Sequence, residues 1–174
     1  MPTRSNRSAG SMSLPYYFFG TLRDADLRAL VFGRSFEPPA LVEAGLADHT
    51  LRRMVGEDYP VLVPAAGEAV AGLCVHGVTG SERRRLRWFE GDEYDEREVE
   101  VVSVDGATVN ARLFAASTRV AASAESWDFE RWQERHKAFL IERVRVYMSF
   151  MASGDLASAE AAWRRMSRGR PPLS

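Results

Sequence analysis

At 174 residues, with 45% hydrophobic and 27% charged side chains, the chain has the size for one domain whose core needs no disulfide staples. A formal net charge of -1 removes the basic footprint that wholesale nucleic-acid binding requires. No apolar run reaches the ~18 residues of a membrane-spanning helix, which argues against a membrane partner. Cys74 is the only cysteine, so no intramolecular disulfide can form and a reducing, cytoplasmic setting is expected.

The first residues, "MPTRSNRSAGSMS", carry arginine and serine but no apolar stretch of the secretory kind, so 1–13 are expected to form a disordered leader. Tyr16–Phe19 reads as a buried strand that runs into Gly20-Thr21-Leu22. "DADLRALVFGR" then reads as a short helix. Asp24 or Asp26 can cap it, Leu27, Leu30 and Val31 share a face, and Gly33 can stop it. "ALVEAGLADHTLRRMVG" predicts two strands around a turn near Asp48-His49. "YPVLVP" predicts a short strand at an edge or strand end, because prolines bound it. "EAVAGLCVHGV" is a long strand whose glycines predict bending.

"TGSERRRLRWFEG" has the pattern of a helix with a Thr79…Glu82 capping box and a stop at Gly91. "REVEVVSVDGATVNARLF" predicts a hairpin around Asp105-Gly106, a type I′ signal. From about Ser126 the period changes. Trp132, His136, Leu140, Val144, Met148 and Met151 recur at intervals of three or four, which predicts one long amphipathic helix from Trp127 to Met151. "DLASAEAAWRRM" predicts a second helix after Gly154-Asp155. The last six residues, 169–174, are expected to fray. The expectation is an α+β fold over 14–120 with a small, curved, mostly antiparallel β-barrel and packed helices. A helical extension over 121–168 packs on it.

Glu90 is the first candidate for chemistry. On the predicted helix it lies four residues after Leu86, on the apolar face that Leu86 and Phe89 mark. It also lies at the helix C-terminus, where the backbone dipole disfavours negative charge. Burial and dipole both raise a carboxylate's pKa, and a carboxylate near neutrality can shuttle protons. The competing expectation is that Glu90 snorkels to water or pairs with Arg87 or Arg97. At the other end of the chain, the N–H groups of Gly20, Thr21 and Leu22 precede a helix, so they can hold an anion. A plain steric turn at Gly20 is the alternative.

Cys74 and His76 alternate on one strand, but a metal site wants a third ligand, so a buried thiol beside a satisfied histidine is expected. His136 is expected to be a core histidine with a partner. The acidic run "EGDEYDERE" reads as a solvated face, with cation binding as the alternative.

Together, "YYFFGTLR", "YPVLVP", "AGLCVHGV" and "LRWFEGDEY" have the order and spacing of one family. From Tyr16 to about Leu113 the chain resembles the γ-glutamylcyclotransferase-like superfamily. The similarity is to the branch that also holds the plant avirulence-induced and γ-glutamylamine cyclotransferase-like proteins. The "WDFERWQERH" helix resembles the C-terminal extension of bacterial members. The resemblance implies a small mixed barrel and a pocket where the loop Phe19, Gly20, Thr21 and Leu22 binds substrate. It implies that Glu90 is the catalytic acid/base and that Tyr94 is the aromatic that follows it. The loop's usual tyrosine is Phe19 here, and an arginine that many members place two residues after Tyr94 is three residues on, at Arg97. The implied partner is a small-molecule γ-glutamyl substrate, cleaved by its own α-amine to 5-oxoproline and an amine or amino acid, with neither metal nor cofactor. The alternative is a non-catalytic module that holds a small metabolite or a partner on the same fold.

Overall fold

The computed structural model describes residues 13–173. The expected leader, apart from Ser13, lies outside them. Strand β1 is Tyr16–Phe18, β2 Leu41–Met54, β3 Pro60–Val75, β4 Tyr94–Ser103, β5 Thr108–Ala116 and β6 Ala122–Ser126. The sheet runs β3-β1-β5-β4-β2-β6, and β2 also pairs with β3. That pairing closes five strands into a barrel, with β6 laid on the far half of β2. Only β1 and β5 pair in parallel; every other ladder is antiparallel.

The barrel has an inside and an outside, and β1 shows both. Successive strand side chains point to opposite faces. Tyr17 and Phe19 join Leu46, Val70, Cys74 and Leu113 in the barrel interior. Tyr16 and Phe18 face outward into a second core shared with the helices. All four aromatics are buried, which is why this strand shows no polar alternation in sequence.

Helix α1 is Ala25–Phe32 and α2 is Gly80–Glu90. Asp24 caps α1, accepting the N–H groups of Asp26 and Leu27 at 3.0 Å each. Gly33, at φ 81°, ends it. The predicted capping box of α2 forms: Thr79 Oγ1 accepts the Glu82 N–H at 3.3 Å, and Glu82 Oε2 accepts the Thr79 N–H at 2.9 Å. Gly91 ends the helix. Arg85 of α2 donates to the carbonyls of Val31 and Leu30, so α2 also closes the open C-terminus of α1.

Four local expectations are corrected. The predicted turn at Asp48-His49 is a bulge inside one strand, β2. Asp48 takes φ 58° and its side chain accepts the Gly67 N–H at 2.9 Å. Likewise "YPVLVP" and "EAVAGLCV" are one strand, β3, with residues 65–68 out of register opposite Asp48. The prolines still obey the edge rule, since β1 pairs only with Leu73–Val75 and leaves Pro60–Pro64 with β2 alone. The β4–β5 hairpin is not type I′, because Gly106 alone has positive φ. Asp105 keeps an ordinary backbone and accepts the Ala107 N–H at 3.1 Å. The long C-terminal helix breaks at His136 (φ -124°, ψ -18°) into α3, Phe129–Arg135, and α4, Lys137–Ser149. At the break Nε2 of His136 stands 3.3 Å from Oδ2 of Asp58. The expected partner of this core histidine is therefore a half-buried carboxylate.

Helix α5, Leu156–Ser167, packs Ala159 and Ala162 against α4. In the tail, Arg170 is ion-paired with Glu57. The segment from 121 onward thus opens with a strand and ends tied to the β2–β3 turn. Among the described residues no helix is long and apolar enough to cross a membrane.

Gly72 of β3 faces the Tyr17 ring. A Cβ there would stand 2.4 Å from Tyr17 Cζ and 2.6 Å from the Phe18 carbonyl oxygen. The Tyr17 hydroxyl donates to the Val70 carbonyl at 2.6 Å, so the ring cannot yield without losing a buried hydrogen bond. Gly72→Ala is expected to cost about 1–3 kcal/mol in urea unfolding, the scale of core overpacking. An unchanged midpoint would show that the ring moves freely.

Candidate active site

Glu90 closes α2, and what holds it there can be followed from the sequence. The capping box fixes the helix start, and fully buried Leu86 fixes its rotation. Glu90, one turn on from Leu86, is thereby turned toward the protein and half-buried. It lines a cavity of about 520 Å³, and the loop Phe19, Gly20, Thr21 and Leu22 lines the same cavity, as does Tyr94. The structure therefore brings all six predicted site residues to one place.

The loop owes its shape to two constraints. Gly20 lies against Pro60, and a Cβ at Gly20 would stand 2.6 Å from Pro60 Cγ. The steric alternative for this glycine thus holds alongside the cavity. Buried Arg28 donates to the carbonyls of Leu22 and Arg23 at 3.0 and 2.9 Å, which ties back the acceptor side of the turn. The N–H groups of Gly20, Thr21 and Leu22 donate to no acceptor among the described residues. Three free donors therefore belong to residues on the cavity wall. Leu22 itself is mostly a core side chain.

The junction is pinned from behind. Asp24, 2% exposed, accepts from Gln133 Nε2 at 2.7 Å and pairs with Lys137 at 2.8 Å. Burial by itself would raise the Asp24 pKa, but Lys137, the Leu27 N–H and Gln133 outweigh it and hold the group ionised. The single lysine of the chain thus fastens the loop-bearing α1 to the C-terminal helices.

Glu90 is treated in the opposite way. The expected pairing with Arg87 or Arg97 is not made: Arg87 binds Glu96 at 2.7 Å, and Arg97 is exposed. Among the described residues the Glu90 carboxyl has neither a hydrogen bond nor an ion pair. The residue is half-buried on the cavity wall, deep among protein atoms. Burial alone pushes its pKa up to about 8. Tyr94 opens β4 after the Gly91–Glu93 turn, and its phenol is raised first by burial and next by the Glu90 charge.

Sequence reasoning missed the outer wall. Glu57, Tyr59 and Pro60 come from the β2–β3 turn and strand start, and Tyr147, Glu160 and Trp163 from α4 and α5. Buried Arg143 joins these two sources. It donates to the Tyr59 hydroxyl oxygen at 3.1 Å and to Ser167 Oγ, and stacks 3.7 Å above the Trp163 ring. The spacing of Glu160, Arg164 and Ser167, four and then three residues, was the available sign of a shared α5 face. Cys74 is not a site residue: it is buried in the barrel, and burial raises its thiol to about 11. Among the described residues no group of three or more His, Cys, Asp or Glu side chains is placed to hold a metal.

This cavity coincides with a family match. The model of "Gamma-glutamyl cyclotransferase, AIG2-like" matches residues 16–134. The chain belongs to this family. Among curated relatives of the family, AIG2-like protein A of Arabidopsis thaliana is 30% identical over 148 residues, covering 81% of this chain and 86% of that protein. AIG2-like protein B of the same plant is 29% identical, covering 76% of each. The solution structure of an Arabidopsis thaliana protein aligns at 27% identity with a TM-score of 0.55, over 78% of this chain and 91% of that one. A structure titled gamma-glutamyl cyclotransferase, at 14% identity and TM-score 0.53 over 86% and 85%, shares the fold. These relatives lend no support to the bacterial resemblance of the C-terminal helix. The matched region also stops before α4 and α5, so much of the outer wall lies beyond it.

An unpaired, enclosed carboxylate has a thermodynamic signature. Its ordinary pKa of 4.5 rises to about 8 on folding, so the folded protein keeps a proton that the unfolded chain has released. Stability therefore falls as pH rises through that window. Glu90→Gln copies the protonated form. The variant is expected to melt with wild type near pH 4.5 and progressively above it toward pH 8. A difference in melting temperature that does not grow with pH would show a paired or solvated carboxylate.

Proposed function

We propose that the protein is a γ-glutamylcyclotransferase-type enzyme that cleaves a γ-glutamyl amide to 5-oxoproline and a free amine. The observation that carries this reading is the unpaired Glu90 in one cavity with the free N–H groups of Gly20, Thr21 and Leu22. The family supports it. A cytoplasmic setting belongs to the same reading.

In this account the ionised Glu90 takes a proton from the substrate's α-amine as that nitrogen attacks the γ-carbonyl. The N–C bond of the five-membered lactam forms, and charge gathers on the γ-oxygen. The loop N–H groups hold the glutamyl α-carboxylate or that oxyanion. The amide C–N bond then breaks, and the protonated Glu90 returns its proton to the leaving nitrogen. One carboxylate with a pKa near the working pH serves both transfers. Tyr94 borders the reacting carboxyl and helps to keep it from water. Phe19 offers the cavity a ring where the family's usual residue would add a hydroxyl. Orientation of the glutamyl end then falls to backbone donors.

The test is 5-oxoproline release from a set of γ-glutamyl amides. Glu90→Gln is expected to lower turnover by ~10² or more, the usual contribution of general acid–base catalysis, with a smaller change in KM. The wild-type kcat/KM should rise with pH through about 8 as Glu90 ionises. Wild-type turnover in the variant would remove Glu90 from the mechanism. Binding without 5-oxoproline release would mark a non-catalytic module.

A further inference from the structure

The loop that offers free N–H groups to an anion has a negative charge directly behind it. Asp24 follows the three donors within one tight turn. The Arg23 N–H donates to the Gly20 carbonyl and the Asp24 N–H to the Thr21 carbonyl, at 3.0 Å each. The Asp24 carboxylate is needed where it is, because its Oδ1 caps α1. It is also buried and held ionised. A buried negative charge beside an anion-holding turn repels the anion unless a cation cancels it.

The field of Asp24 reaches the turn. Burial pushes the Arg28 guanidinium down, and the charge of Asp24, followed by that of Glu37, pushes it back up. Arg28 is the side chain that donates to the Leu22 and Arg23 carbonyls. It is therefore shared between two carboxylates and spends donors on the turn itself. The cation in contact with Asp24 is Lys137, whose Nζ stands 2.8 Å from Asp24 Oδ2 and 2.7 Å from Asp26 Oδ2. Asp26 is exposed, so solvent screens it, whereas protein surrounds the charge of Asp24. Gln133 gives Asp24 a donor but no charge.

Resting on the cyclotransferase reading above, we infer that Lys137 is a positioning residue for the glutamyl end of the substrate. It acts through Asp24, cancelling that charge so that the N–H groups of Gly20, Thr21 and Leu22 can hold the α-carboxylate. Asp24 can then shape the turn without repelling what the turn binds. Lys137 stands just past the matched region, so residues 16–134 contain the buried carboxylate but not the cation in contact with it. The C-terminal helices thereby give the loop its charge balance as well as its mechanical support.

The test separates charge from shape. Lys137→Met removes the cation and is expected to raise KM for a γ-glutamyl amide about tenfold, the scale of one incompletely screened charge, with little change in kcat. Lys137→Arg keeps the charge and should keep KM close to wild type. Adding Asp24→Asn to Lys137→Met removes the charge that Lys137 had cancelled while keeping a good helix cap, and should return KM toward wild type. Lys137→Gln, which still offers Asp24 a donor, carries the test if Lys137→Met does not fold by thermal melt. A purely mechanical brace predicts a double variant no better than Lys137→Met. That result overturns the inference and leaves the proposed reaction intact, as does an unchanged KM or a loss confined to kcat. If no amide yields 5-oxoproline, the proposed reaction fails, and calorimetric binding of 5-oxoproline itself decides the inference. Weaker binding by Lys137→Met that Asp24→Asn restores supports it. Equal binding, a loss that Asp24→Asn does not restore, or no binding by wild type overturns it.

Discussion

Of the groups on the cavity wall, an ionised carboxyl without a cation beside it is the most expensive to enclose. The arrangement around Glu90 depends on that cost being met elsewhere. The capping box at Thr79 and the buried Leu86 set where α2 starts and how it is turned, so the carboxyl meets the cavity and no arginine. The nearby arginines are engaged by another carboxylate. Glu96 collects Arg83 and Arg87 at 2.8 and 2.7 Å and accepts the Tyr16 hydroxyl at 2.7 Å, which holds Glu96 ionised. The two glutamates six residues apart have opposite surroundings, and their protonation is divided accordingly. That division is the pattern expected where one group is structural and the other exchanges protons.

Two buried arginines build the rest of the cavity from opposite sides. Arg28 anchors the loop turn by its carbonyls and leaves its N–H groups free. Arg143 ties the β2–β3 turn to α5 through Tyr59, Trp163 and Ser167. Neither arginine has a carboxylate within ion-pair distance among the described residues; carbonyls, hydroxyls and rings serve in place of one. Pro60 links the two sides, since it follows Tyr59 and fills the space that Gly20 leaves. The loop, the hairpin and the C-terminal helices are therefore one construction, and the C-terminal extension forms part of the cavity as well as the outside of the barrel.

Much of this was legible in the sequence because it rests on short-range signals. A capping box, a stop glycine and an apolar turn placed Glu90 on a buried face before any fold was known. The motif order from "YYFFGTLR" to "LRWFEGDEY" placed the loop with it. Where the reading missed, a local signal served a distant partner. Asp48 has the side chain of a turn residue, but it spends its left-handed φ on a bulge, because Gly67 across the ladder supplies the N–H it accepts. Asp105-Gly106 reads as type I′, yet the Asp105 carboxylate captures Ala107 and widens the loop. His136 fits a helical period, but Asp58 stands beside it, and the helix breaks there. Tyr59, Tyr147 and Glu160 carry no local mark of a site, since the closed barrel and α5 bring them together from three separate segments.

The account stands on one ionisation, that of Glu90 in the free protein. It can be read directly by titrating the side-chain carboxyl of glutamate labelled with carbon-13, with Glu90→Gln identifying the resonance. A midpoint at about 8 is expected, well above the ordinary 4.5. A midpoint near 4.5 would mean that water or a cation reaches the carboxyl. That result would contradict both the enclosed, unpaired site and the proton shuttle built on it.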